Sequence, residues 1–262
     1  MRAVRANGLT LHVAEGGDRA GPAVVFANSL GTDLRLWDSV LPLLPAGLRF
    51  VRFDLRGHGL SDCPDGPYAM DDLAADAAGL IETLGAGPVV VVGLSIGGMI
   101  GQALAAKRPD LVRALVLSNT APRMGTPEMW RARIDTIRVG GLAGMQDAIL
   151  DRWFGPDFRS RPEARLWGAM LSRTPLAGYL GCCAAIAAAD LTATTNRLRL
   201  PVLAIGGSAD GASPPDAVRA MAAGIAGATC HIIDGAGHLP CVETPATYAA
   251  LLAPFLTEHT HV

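Results

Sequence analysis

The sequence predicts an α/β fold: a mostly parallel twisted sheet flanked by helices, with a helical cap insertion. Three observations carry that prediction. Short apolar runs such as Ala23–Ala27 and Phe50–Asp54 alternate with segments of helical periodicity, the order that builds parallel sheets. The run Val89-Val90-Val91-Val92 is apolar at every position, as in a strand buried on both faces. From Thr120 to about Asp190 no β-rich run occurs, although helix-length segments do.

Taken in order, Leu9–Glu15 alternates and reads as a first strand. Gly16-Gly17-Asp18 turns the chain, which passes Pro22 into the buried strand Ala23–Ala27 and ends in the small polar loop Asn28–Asp33. A helix is expected around Leu36–Leu44, then the strand Phe50–Asp54, followed by Leu55-Arg56-Gly57-His58-Gly59. Leu73, Ala77, Leu80, Ile81 and Leu84 share one face of an amphipathic helix over Asp71–Leu84. After the valine strand, Met99, Ile100, Ala103, Leu104 and Ala106 mark a helix that Pro109 stops, and Val112–Asn119 is a further strand. Helices near 127–139, 143–152, 161–172 and 175–189 follow, with breaks at Pro127, Gly140-Gly141, Gly155-Pro156 and Thr174-Pro175. Alternation resumes with the strand Pro201–Ile205, a helix near 215–226, the strand Thr229–Ile233 and a helix from Pro245 to about Leu256. The tail Glu258–Val262 is expected to fray. The organisation expected is an α/β core of residues 1–119 and 190–262 carrying a helical cap over 120–189.

At 262 residues, 50% apolar and 18% charged, the chain can bury a sizeable core. A net charge of −2 and no run of Lys or Arg argue against nucleic acid and anionic membrane surfaces as partners. The five cysteines are odd in number and lack metal-type spacing, which suits a reducing compartment. No signal segment and no bilayer-length apolar run is visible, so a cytoplasmic location is expected.

The chemistry centres on Gly93-Leu94-Ser95-Ile96-Gly97, placed between the valine strand and a helix. In that context Gly-x-Ser-x-Gly forms a sharp turn that exposes the serine hydroxyl and aims the helix amides, Ile96 first, at an oxyanion. A serine needs a base, and the base needs a group to orient it. His58 and His238 both follow strands, so both can reach the sheet edge where Ser95 lies. The chain order Ser…Asp…His favours His238. Asp210, just past the strand Pro201–Ile205, is the candidate acid. Asp216 reads as a first-turn helix residue, Asp234 lies too near His238 to bridge back to its ring, and Asn119 has no charge to give. The loop Asn28-Ser29-Leu30-Gly31 supplies the second oxyanion amide, from Leu30. Arg56, His58 and Asp62 read as a hydrogen-bonded turn that braces the site. No cofactor is expected, because Ser95 stands where a dinucleotide loop needs a close-approach glycine, and no metal-ligand cluster appears.

These motifs, with Asp54-x-Arg56-Gly57-His58-Gly59-x-Ser61, Gly207-x-x-Asp210 and Gly237-His238, resemble those of α/β-hydrolases with a helical cap. Finer features are similar to 3-oxoadipate enol-lactonases, bacterial enzymes of the β-ketoadipate pathway of aromatic degradation. They are Asn28-Ser29-Leu30-Gly31-Thr32-Asp33, Gly66-Pro67-Tyr68, Ser118-Asn119-Thr120-Ala121, Gly125-Thr126-Pro127-Glu128-x-Trp130, Arg152-Trp153-Phe154 and Gly178-Tyr179-x-x-Cys182-Cys183-Ala184-Ala185. The chain departs from them at Ile96, where methionine is frequent, and at Gly237-His238-Leu239-Pro240-Cys241, where Ala-His-Leu-Ser-Asn is common. The resemblance implies a serine hydrolase that opens a small carboxylated enol-lactone through an acyl-enzyme on Ser95, with His238 as base and Asp210 behind it. Arg133, one helical turn from Trp130, is the candidate for the substrate carboxylate, and Ser29, Trp130 and Trp153 are further candidate contacts. A small-molecule carboxylesterase or another lactonase with the same triad is the alternative; the intact Ser95, Asp210 and His238 argue against a ligand-binding relative on this fold that has lost hydrolysis.

Overall fold

In a computed structural model, which describes residues 1–261, eight strands form one sheet. The elements in chain order are β1 (Arg2–Ala6), β2 (Leu9–Gly17), β3 (Ala23–Ala27), β4 (Arg49–Phe53), α1 (Met70–Thr83), β5 (Val89–Leu94), α2 (Ile96–Lys107) and β6 (Val112–Ser118). Five helices follow: α3 (Pro127–Gly144), α4 (Gln146–Trp153), α5 (Pro156–Arg159), α6 (Ala164–Ser172) and α7 (Leu176–Ala188). The chain continues with α8 (Thr192–Thr195), β7 (Val202–Gly207), α9 (Pro215–Ala223), β8 (Thr229–Ile233), α10 (Pro240–Glu243) and α11 (Pro245–Thr260). The strand order is β1-β2-β4-β3-β5-β6-β7-β8. β2 is antiparallel to both its neighbours, and every pairing from β4 to β8 is parallel.

The central strands β3, β5 and β7 are buried at every residue, because helices cover both faces of the sheet. β6 shows how. Leu115 and Leu117 lie against Gly101 of α2, while Ser118, out of phase with them, hydrogen-bonds the Tyr248 hydroxyl of α11 at 2.6 Å. All the parallel strands therefore end at one edge, where their loops collect. Over that edge lie α3 to α7, which pack on one another. α7 presses straight onto the loop after β4: a Cβ on Gly178 would run into the backbone of Gly57.

Three local expectations are corrected. β1 precedes the first strand expected; Arg2–Ala6 is short, and only Val4 and Ala6 point inward, so its apolar signal is faint. Its marker was Asn7-Gly8, with φ of 48° and 78°, the left-handed pair that closes a two-residue hairpin. The helix around Leu36–Leu44 is replaced by two 3₁₀ turns, Leu34–Trp37 and Leu41–Leu43. Pro42 cannot donate inside a helix and clashes with the preceding turn. Finally, α11 runs on through Thr260 rather than fraying from Glu258; Val262 lies outside the described residues. Inside α3, Gly141 at φ 68° and ψ 175° interrupts the helix where Gly140-Gly141 marked a break. Among the described residues no helix is long and apolar enough to cross a membrane.

Candidate active site

Ser95 sits at the tip between β5 and α2 with φ 60° and ψ −119°, a conformation that side chains rarely adopt. The turn is held from both sides. The Ser95 N–H donates to Ser118 O at 2.9 Å, and the Thr120 hydroxyl donates to Ser95 O at 2.8 Å. Gly97 has to be glycine, since a Cβ there would strike the Ala27 carbonyl. The Ser95 hydroxyl makes no hydrogen bond among the described residues and forms part of a cavity wall.

His238 and Asp210 meet behind that wall, His238 Nδ1 lying 2.9 Å from Asp210 Oδ2. With Nδ1–H donating to the carboxylate, Nε2 is left to accept a proton. His238 is 2% exposed overall, yet it lines the cavity that Ser95 lines. Asp210 accepts three further bonds: from the amides of Ala212 (2.7 Å) and Ser213 (2.9 Å) and from Asn119 Nδ2 (2.9 Å). Burial works against its charge, but the His238 ring and these donors outweigh burial and hold the carboxyl below the usual carboxylate range. Asn119 is not the acid, as its lack of charge implied, but it donates to the residue that pairs with His238. An acid needs donors around it, and Asn119 gives its amide N–H to Asp210 and to Gly237 O (3.2 Å). Asp234 instead accepts from the Ser208 hydroxyl, and Asp216 is an exposed first-turn residue of α9 beside Arg219.

Facing the elbow, the loop after β3 is pinned residue by residue. Asn28 donates to Phe53 O (2.7 Å) and accepts from Trp37 Nε1 (2.8 Å), and Asp54 takes the Leu34 amide (2.8 Å). His58 is fully buried; its Nε2 accepts the Gly31 N–H at 3.0 Å and its Nδ1 lies 3.2 Å from Arg56 O. Burial pushes the His58 pKa down, which keeps the ring neutral and Nε2 an acceptor. Arg56 in turn grips Asp76 through two bonds of 2.6 and 2.7 Å. His58 is therefore a brace. Leu30 lines the cavity beside Ser95, its N–H unused among the described residues, and Ile96 opens α2, where a first-turn amide has no partner within its helix.

The cavity is about 170 Å³, and α3, α4 and α7 contribute to its wall. Ser29, Leu30, Ser95, Trp130, Arg133, Trp153 and His238 all line it, so the structure brings every candidate substrate contact to one place. Arg133 lies over the rings of Trp130 (5.3 Å) and Tyr179 (5.8 Å) and donates to the Tyr179 hydroxyl. Its Nε, like the Ser29 hydroxyl, is buried without a partner among the described residues. Arg152, not named as a substrate contact from the sequence, is a second guanidinium in the wall; burial, then the charge of Arg133, lowers its pKa. Arg152-Trp153-Phe154 carried part of the family resemblance, but no substrate contact was read from Arg152 itself. Glu243 was missed too. It accepts the N–H of Gly237, next to His238, and the N–H of Gly155, each at 2.8 Å.

Residues 24–251 match the alpha/beta hydrolase family. The chain is similar to 3-oxoadipate enol-lactonase 2 of Acinetobacter baylyi, 32% identical over 93% of this chain and 91% of that one. It superposes on the crystal structure of the enol-lactonase from Burkholderia xenovorans with a TM-score of 0.94 at 36% identity, covering 98% of this chain and 100% of the other. A thermophilic esterase from Thermogutta terrifontis follows the same path with a TM-score of 0.90 at 28% identity, covering 98% and 97%. By its matched sequence, its sheet order and its strand–serine–helix turn, the chain belongs to the alpha/beta hydrolase family.

Proposed function

We propose that the protein opens a small carboxylated enol-lactone, 3-oxoadipate enol-lactone, to 3-oxoadipate through an acyl-enzyme on Ser95, in the cytoplasmic degradation of aromatic compounds. The observation that carries the reading is the cavity of about 170 Å³ in which Ser95 and His238 face two arginines. It is small against the 300 Å³ or so at which drug-sized sites begin, and suits a ligand of few atoms. Two guanidiniums whose nearest partners are aromatic rings, a tyrosine hydroxyl and a carbonyl are donors suited to a carboxylate.

In this reading, the Ser95 hydroxyl attacks the ring carbonyl while His238 Nε2 takes its proton, and Asp210 steadies the imidazolium that results. The amides of Leu30 and Ile96 receive the oxyanion; losing one such donor typically costs about 3–4 kcal/mol of barrier. Collapse breaks the ring C–O bond, and His238 returns the proton to the departing enol, which tautomerises to the ketone. Water, activated by the same histidine, then releases the acid. Arg133 and Arg152 hold the free carboxylate and so choose which end of the ligand meets Ser95.

The esterase reading keeps the same triad, and the likeness to the Thermogutta esterase favours it as the alternative. Steady-state kinetics separate them. The lactonase reading expects kcat/KM for the enol-lactone to exceed that for neutral aryl esters. A preference for the esters by orders of magnitude overturns it and leaves the triad standing.

A further inference from the structure

Three stretches of chain meet at Gly237, the residue before His238. A Cβ there would lie 2.6 Å from Trp153 O, 2.7 Å from Gly155 N and 2.9 Å from Glu243 Oε1. Glu243 ends the one-turn helix α10, which begins two residues after His238. One of its oxygens, Oε1, takes the Gly237 N–H and the other, Oε2, takes the Gly155 N–H. The same two segments are laced directly, since the N–H of His238 donates to Trp153 O at 2.7 Å. The segment Arg152–Gly155 contributes two residues, Arg152 and Trp153, to the cavity wall. The loop 235–239 contributes the histidine. Glu243 is the side chain that spans both.

Resting on the reading of Ser95, Asp210 and His238 as a hydrolytic triad, we propose that Glu243 is a positioning residue. Its carboxylate locks the histidine loop to the wall that carries Arg152 and Trp153, so base and substrate pocket are set as one unit. Misplacing a reacting group by about 1 Å can cost on the order of 100-fold in rate, which is the scale such a joint controls.

The surroundings of Glu243 make the joint sensitive to protons. Burial, opposed by the two backbone N–H bonds, pushes its pKa up to about 7. The ionisable groups around it are Asp210, which acts on it as a like charge, and the Cys241 thiol of the same short helix, which burial keeps protonated. His238 lies one residue from Gly237, with its own proton directed to Asp210. No cation pairs with Glu243 among the described residues. As the pH falls through about 7, one of its oxygens gains a proton, becomes a weaker acceptor and brings an O–H with no partner. The joint loosens in acid.

Glu243→Gln and Glu243→Ala test this with an activated aryl ester at pH 8, with thermal melting in parallel and Ser95→Ala as control. Glu243→Gln is expected to stay folded at the assay temperature and to lose between about 10- and 100-fold in kcat, with a smaller change in KM. The acid limb of log kcat should be steeper than one ionisation in the wild type and fall back to a single ionisation in Glu243→Gln. A folded Glu243→Gln with wild-type kcat and a wild-type acid limb overturns the proposal while Ser95→Ala, if inactive, leaves the triad intact. So does a loss in both variants that only tracks the unfolded fraction. Wild-type turnover by Ser95→Ala overturns the triad reading and the proposal with it.

Discussion

His58 and His238 occupy comparable places, each in a Gly-His step on a loop at the same edge of the sheet, and the fold gives them different partners. At His238, Nδ1 meets the Asp210 carboxylate and the ring lines the cavity. At His58, Nδ1 meets only a carbonyl, Arg56 O, and Nε2 is consumed by the Gly31 amide. A buried imidazole becomes a base when a carboxylate can stabilise its charged form and its second nitrogen faces the ligand. It becomes a strut when both nitrogens are occupied by neutral backbone groups. The motif does not distinguish the two; the partners do.

The difference can be broken by substitution. His238→Ala should lower kcat by about 10⁴-fold or more with little change in Tm, as removal of a triad member does. His58→Ala should do the reverse, costing about 1–3 kcal/mol of stability because the buried Gly31 N–H loses its acceptor, with a far smaller loss of kcat. An activity loss at His58 equal to that at His238 would erase the distinction.

Smaller effects sharpen it. Arg133→Met and Arg152→Met should each raise KM for the carboxylated lactone by about 10- to 150-fold, the equivalent of one charged hydrogen bond, and leave a neutral aryl ester nearly unaffected. Asn119→Ala removes one of four donors to Asp210 and should lower kcat by about tenfold or less. The smallest effect is on stability against pH. Folding holds the His58 pKa below its ordinary 6.5, so the unfolded chain binds the proton first. Stability from this residue is complete above 6.5 and is lost as the pH falls below it. Urea melts between pH 8 and 5 should show a shallower loss in His58→Gln, whose amide oxygen can accept the Gly31 N–H without titrating.

Every strand but β1, the elbow, and the strand-end placement of Asp210 and His238 were legible because they rest on local pattern. A four-valine run, glycines at a tight turn and loops at strand ends leave marks within a few residues. What stayed hidden acts across the chain. Asn119 reaches Asp210 from 91 residues away, and Glu243 reaches Gly155 from 88 away, so nothing near either residue announces its partner. Arg152 owes its place to how α4 ends against Gly211, to whose carbonyl it donates at 3.2 Å. The helix around Leu36–Leu44 failed for a local reason, Pro42, that outweighed its apolar spacing.

The central claim is that Ser95 forms the covalent intermediate. Mixing enzyme with an activated aryl ester and quenching within the first turnovers should give a stoichiometric burst of phenol and an acyl group that peptide mass spectrometry places on Ser95. No burst and no adduct should form in Ser95→Ala. An acyl group on another residue, or an undiminished burst in Ser95→Ala, would contradict the account.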